Sequence, residues 1–198
     1  MLSGMKGRTT SDNGAVRLDP ATEADAQTLA NLLELYIHDL SAAFPSVELG
    51  ADGRFGYPKL SLYWSEPERR FAFIVRYEGR IVGFAFATLG SPATDDPDVS
   101  DVAEFFVIRR YRRNGVGREA AKLLWTLRPG KWTVRVSENN SSGLPFWASV
   151  VEEISAGQSQ ILTRVDGAHT WRVFSFQVAR DDACAESPRA SRLSGAES

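Results

Sequence analysis

The chain has few of the residues that cross-link or metallate small proteins. Of its 198 residues one is cysteine, Cys184, and two are histidine, His38 and His169. One thiol excludes an intrachain disulfide, and one Cys with two His cannot assemble a four-ligand zinc site of the Cys/His type. No metal is expected. Long apolar runs are missing as well. The best stretch, 81–89, falls far short of the roughly 20 residues that span a bilayer, so no membrane partner is expected. Residues 1–16 are polar and lack the apolar core of a secretory signal, which makes a reducing, cytoplasmic setting the default. Charge of one sign is not in excess. Lys+Arg number 23 and Asp+Glu 25, for a formal net charge of -2, which argues against nucleic acid as the main partner. The remainder is ordinary for a globular domain, with 43% apolar and 24% charged residues.

Composition divides the chain in three. Residues 1–14 are small and polar and read as a disordered lead-in. Residues 179–198 hold one Leu and no aromatic residue, too little apolar surface to offset the entropy of ordering. Cys184 lies in that tail and reads as a free, exposed thiol. Between them, residues 15–178 form one folded unit. A short strand at 15–18 ends at Asp19-Pro20. Thr22 and Asp25 resemble a capping box before Leu29, Leu33, Tyr36, Ile37 and Leu40, which recur at helical spacing. Residues 44–58 carry Pro45, Gly50, Gly53 and Gly56 and read as a loop, followed by a short helix or turn at 60–66. Two β-rich runs, 70–77 and 81–89, meet at Glu78-Gly79 as a hairpin. After a loop at 91–100 come a strand at 101–108, a helix at 115–127, a strand at 132–136, a helix at 142–154 and strands at 161–165 and 171–178. Trp125, Trp132 and Trp171 fall at positions expected to pack. This order mixes hairpins with crossovers and predicts a mixed α/β sheet with helices on both faces.

The segment richest in chemistry is DVAEFFVIRRYRRNGVGR, residues 101–118. A buried strand runs into a basic turn, then two glycines, then a helix. Helix N-termini carry unpaired N–H groups and a partial positive charge. Without side chains at Gly115 and Gly117, a phosphate can reach that backbone. On spacing alone, a glycine-bearing helix start with solvated arginines fits equally well. The pattern is neither a Walker A loop nor a full G-x-G-x-x-G.

The segment resembles the GNAT superfamily of N-acetyltransferases, whose [RQ]-x-x-G-x-[GA] element is matched by Arg112-Arg113-Asn114-Gly115-Val116-Gly117. VRLDPATEADAQTLANLL (16–33) is similar to the family's first strand and helix, and the hairpin at 71–89 to its second and third strands. VRVSENNSSGLPFW (134–147) is similar to its fifth strand and the N-x-x-[AG]-x-x-[FL]-[YW] helix, through Asn140, Gly143, Phe146 and Trp147. The resemblance implies a mostly antiparallel central sheet splayed between strands four and five, with acetyl-CoA as co-substrate. It implies that the backbone of Phe106, Val107 and Ile108 pairs with the pantetheine arm. The amides of Arg113, Asn114, Gly115, Val116, Gly117 and Arg118, beside Arg112, would cradle the pyrophosphate, with Asn140 and Phe146 bordering the cofactor. Dimers are common among such proteins, so a homodimer is compatible with it.

The implied reaction is transfer of an acetyl group to an amine, expected here to be a small molecule. A free amine of pKa about 10.4 is mostly protonated near neutrality, so a base is needed. Glu104 is the candidate, on the strand beside the implied thioester, with Asp101 as a weaker alternative; a carboxylate that only binds a neighbouring Arg or backbone group is the other reading of Glu104. A strand-four N–H is expected to face the thioester oxygen. Trp147 stands where many members place a Tyr acid, and indole cannot supply that proton. This departure keeps open a non-catalytic acyl-CoA-binding regulator. Tyr36, Tyr57, Tyr63 and Trp64 are the candidate acceptor-binding residues, or rings that pin a long loop to the core. His38 and His169 read as structural.

Overall fold

The computed structural model describes residues 15–167 and 169–179. The expectations of a disordered lead-in at 1–14, and of a disordered tail with Cys184 in it, fall outside the described residues apart from Ala179. Strands β1 (Val16–Pro20), β2 (Arg70–Tyr77), β3 (Arg80–Leu89), β4 (Ser100–Val107), β5 (Gly130–Ser137), β6 (Gln160–Asp166) and β7 (His169–Val178) form one sheet in the order β1-β2-β3-β4-β5-β7-β6. Helices α1 (Ala26–Ser41), α2 (Leu62–Ser65), α3 (Val116–Leu127) and α4 (Gly143–Ile154) cover its two faces. All neighbouring strands are antiparallel except β4 and β5, which are parallel and are joined through α3.

Local chemistry accounts for the joints. The β2–β3 hairpin turns on Glu78 and Gly79, both at positive φ (50° and 72°). This two-residue turn matches the twist of the strands it joins, and Gly supplies the left-handed conformation without a steric cost. Before α1 comes a short 3-10 turn, Glu23–Asp25. There the Asp25 carboxylate accepts hydrogen bonds from the Thr22 amide (2.9 Å) and hydroxyl (3.0 Å). The helix proper therefore starts after the capping residues rather than on them.

Alternation along the strands sorts side chains into two cores. One holds Val75, Val82, Ala85, Val102 and Val107 with Leu124, Trp125, Val150 and Val151, under α3 and α4. The other holds Ile74, Phe84, Phe86 and Phe106 with Leu29, Leu33 and Tyr63, under α1 and α2. Trp125 and Trp132 are buried, as their positions suggest. At the far edge β6 packs less well than a closing strand should: all seven of its residues are exposed, Ile161, Leu162 and Val165 among them.

Two irregularities in the middle of the sheet position the site. The β3–β4 register skips at Ala103, so that Phe86 faces Glu104 while Ala87 faces Val102. A bulge of this kind re-aims the side chains that follow it. Here it puts both Ala103 and Glu104 on the α1 face. The second is a parting of the strands. Only Ser100–Val102 of β4 pairs with β5, opposite Trp132–Val134. Beyond that point β4 and β5 diverge, as the splayed sheet expected from the sequence requires.

Candidate active site

The parting is pinned at its closed end. Asp101, fully buried, accepts from Arg135 Nη2 (2.8 Å) and Nε (3.1 Å) across the strands, and from Thr133 Oγ1 (2.7 Å) and Ser91 Oγ (3.2 Å). Its carboxylate is wholly used by the fold, so it does not reach the open part of the gap.

Above this pin β4 runs unpaired on one side. The Ile108 amide donates to Val82 of β3 (2.8 Å). Strand alternation therefore turns the main chain of Phe106 and Ile108 toward β3, and that of Phe105 and Val107 toward the gap. Of the trio expected to face a ligand, the main chains divide by parity. Val107 faces the gap, Phe106 and Ile108 do not, and Phe105, overlooked in the sequence, joins Val107. The Val107 carbonyl already accepts from Arg112 Nε (2.6 Å).

At the end of β4 the chain makes a 3-10 turn, Arg109–Tyr111, and enters α3. The amides of Tyr111 and Arg112 bond within the turn, to Ile108 and Arg109. Those of Arg113, Asn114, Gly115, Val116, Gly117 and Arg118 meet no acceptor among the described residues. Glu119 is the first α3 residue to donate back, to Gly115 (3.0 Å). Arg113 and Gly115 both have positive φ (64° and 79°), an alternation that gathers successive N–H groups into an anion-binding concavity. A side chain added at Gly115 would meet nothing within 4 Å, whereas one at Gly117 would touch the Phe146 ring at 3.4 Å. The corner is thus open and its nitrogens are free.

The arginines around it divide by task. Arg109 and Arg112 both bind Asp39 of α1, whose carboxyl is pushed up by burial but held below its ordinary value by these two cations. Arg112 also lies over the Phe106 ring. With its amide, Nε and Nη2 engaged, Arg112 braces the turn. Arg118 ties α3 to α4 through Glu153 and Ser149. Asn140 likewise works within the fold: its Oδ1 accepts from the Gly143 amide (2.9 Å), and a Cβ at Gly143 would sit 2.6 Å from its Nδ2. The N-x-x-G spacing is therefore the signature of an asparagine folded over the first residue of α4. Phe146 stacks on Phe105 (centroids 6.1 Å apart), and Trp147 is buried edge-on to the same ring (5.1 Å).

On the opposite face Glu104 opens into a cleft of about 400 Å³ between α1 and residues 44–57. Its carboxylate accepts from Tyr36 Oη (2.6 Å) and Tyr57 Oη (3.1 Å). Burial raises the carboxyl above its ordinary pKa, and the tyrosine bonds with the nearby Arg135 and Lys59 charges offset this only in part. Burial and the Glu104 charge push both tyrosines up, so they remain protonated donors. The outer wall is held by Glu34 of α1, which accepts from the amides of Phe55 (2.8 Å) and Gly56 (3.0 Å). Tyr63 and Trp64 do not join this cleft. Tyr63 packs on Phe86 with its hydroxyl buried near Tyr57 and Arg70 and within electrostatic range of Glu104, and it and Trp64 line a separate hollow by Pro20 and Arg70. His38 sits near Phe55, and His169 against Phe44 and Trp171.

Among the described residues no helix is long and apolar enough to cross a membrane, and no cluster of three His, Cys, Asp or Glu is placed to hold a metal ion. A sheet parted beside an open helix N-terminus, with a buried carboxylate on the strand that borders the gap, defines the class as that of the splayed-sheet acetyltransferases. Solved structures agree on the fold. An acetyltransferase from Thermus thermophilus is 18% identical, covering 82% of this chain and 97% of its own, with a TM-score of 0.58. The aminoglycoside acetyltransferase AAC(6')-Ib in complex with coenzyme A is 14% identical, with coverage of 82% and 95% and a TM-score of 0.59. NAA60 of Arabidopsis thaliana in complex with a bisubstrate analogue is 13% identical, with coverage of 83% and 98% and a TM-score of 0.55. No curated protein sequence gives a significant match. The chain belongs to the acetyltransferase (GNAT) family, whose sequence profile matches residues 30–140.

Proposed function

We propose that the protein is an acetyl-CoA-dependent N-acetyltransferase acting on a small amine, with Glu104 as general base. The observation that carries the reading is the run of six unpaired amides, 113–118, at one end of the β4 gap with Glu104 near the other. The corner fits a diphosphate, since no Cβ obstructs it at Gly115 and hydrogen bonds to a charged group are worth about 1.5–3 kcal/mol each. The edge of β4 facing the gap, through the Phe105 main chain and the Val107 amide, suits an extended, amide-bearing arm. When bound, acetyl-CoA supplies an acetyl group activated as a thioester.

The rest of the chemistry falls to this chain. Glu104 accepts a proton from the acceptor ammonium, and Tyr36 and Tyr57 hold the carboxylate in place for it. The Phe105 amide faces the gap and serves as the donor to the oxygen that gains negative charge. Trp147 donates no proton, so α4 contributes no acid limb to the pH profile.

The test combines binding and turnover. Calorimetry should detect acetyl-CoA binding to the wild type and to Glu104→Gln, and none to Gly115→Glu. Thiol release with a panel of amines should fall about 100- to 10,000-fold in Glu104→Gln. A wild type that binds acetyl-CoA but acetylates no amine would support the regulator instead.

A further inference from the structure

The cleft at Glu104 carries a charge and polarity pattern that selects among amines. Its apolar walls are Ile37 and Leu40 from α1 and Phe44, Val47 and Phe55 from the loop. Among the described residues its lining carries two carboxylates, Glu104 at the floor and Glu48 beside it, and no Lys or Arg. The cations nearby are engaged elsewhere. Arg54 pairs with Glu34, Arg109 and Arg112 with Asp39, and Arg135 with Asp101. Lys59 lies within electrostatic range of Glu104 but is exposed and outside the lining.

From this we infer that the acceptor is an apolar primary amine without a carboxylate, an arylalkyl- or alkylamine rather than an amino acid or a hydroxylated amine. The inference rests on the acetyltransferase reading above. An ammonium entering the cleft neutralises Glu104, while its hydrocarbon body replaces water on the side chains of Phe44, Val47 and Phe55. A carboxylate on the same molecule would meet Glu104 and Glu48 with no cation in the lining to pair with. A hydroxylated body would exchange water for the apolar side chains of Ile37, Leu40, Phe44, Val47 and Phe55, with the Ser46 hydroxyl and the Glu48 carboxylate as the lining's remaining polar partners once Tyr36 and Tyr57 donate to Glu104. In the reaction the ammonium proton passes to Glu104, the freed nitrogen forms the new amide bond to the acetyl carbon, the carbon–sulfur bond breaks with its electron pair left on sulfur, and the second nitrogen proton goes to that thiolate, which leaves as the free thiol of CoA.

The experiment uses three acceptors of matched reactivity: 2-phenylethylamine, phenylalanine and ethanolamine. With acetyl-CoA in excess, kcat/KM for 2-phenylethylamine should exceed that for phenylalanine at least 100-fold and that for ethanolamine at least tenfold, in keeping with the discrimination apolar pockets achieve. Glu48→Lys should narrow the first ratio at least fivefold, and Val47→Asp the second; both sites lie in the loop, and thermal melts confirm that the variants fold. Equal or better turnover of phenylalanine or ethanolamine would overturn the inference and leave acetyl transfer intact. If acetyl-CoA binds and neither these three nor the wider amine panel is acetylated, the catalytic reading fails. Calorimetric binding of 2-phenylethylammonium then decides the inference by itself: tenfold tighter binding than phenylalanine upholds it, and equal or weaker binding refutes it.

Discussion

Glu104 stands where a carboxylate is costly, on a strand of Ala, Phe and Val between two aromatic hydroxyls. Its raised pKa means that the folded protein holds this proton more tightly than the unfolded chain does. The stability this contributes is present below the unfolded carboxyl value and is lost as pH rises through the folded one. Glu104→Gln has no such titration. Its melting temperature should therefore gain on the wild type as pH increases across that window and then hold level; a constant offset from pH 4 to 8 would refute the raised value. Under the proposed reading the same variant should lose turnover, so stability and chemistry are expected to trade at this position. Tyr36→Phe removes the 2.6 Å hydrogen bond that favours the ionised form. The rising limb of kcat/KM against pH should then move to higher pH, and an unmoved limb would mean that Tyr36 does not act on the base.

Two contacts in the strands keep the gap in shape. Gly83 of β3 is crossed so closely by β4 that an added Cβ would lie 2.0 Å from the Phe106 carbonyl oxygen. Gly83→Ala should force the strands apart, at a cost near the upper end of the roughly 1–3 kcal/mol typical of overpacking. Urea melts read that loss directly, and a variant as stable as the wild type would show that the approach is not tight. The second contact is the Asp101–Arg135 pair where β4 and β5 part. Asp101→Ala leaves a half-buried cation without its partner and should cost about 3–5 kcal/mol, whereas a surface pair would cost under about 1 kcal/mol. Gly115 differs from both. Its surroundings are open, so Gly115→Glu strains only the left-handed backbone, by about 1–2 kcal/mol. The loss of binding expected of that variant is then separable from loss of fold.

Across the whole molecule, what was legible in the sequence is what short-range pattern encodes. Element order, the hairpin at Glu78-Gly79 and the glycine corner follow from local spacing. So does the oddity of Glu104, an acid inside an apolar strand. What was not legible depends on partners far apart in the chain or on parity. Asp39 braces Arg109 and Arg112 some 70 positions away, a pairing no local motif records. The bulge at Ala103 and the turning of Phe105 and Val107 toward the gap depend on register with β3. Tyr63 and Trp64, expected with Tyr36 and Tyr57 on the strength of their aromatic stretch, are set by α2 against β2, where they line a second hollow and Tyr63 backs onto Tyr57 and Glu104 from behind the cleft. The chain accordingly places the open corner before α3 and the Glu104 cleft on opposite faces of a sheet that opens between them. The most direct test follows the backbone amide resonances of an isotopically labelled sample as CoA is added. The account predicts large shifts at Arg113 through Arg118, with much smaller ones along β6. Binding that leaves those six amides unmoved, or no binding at all, would contradict it.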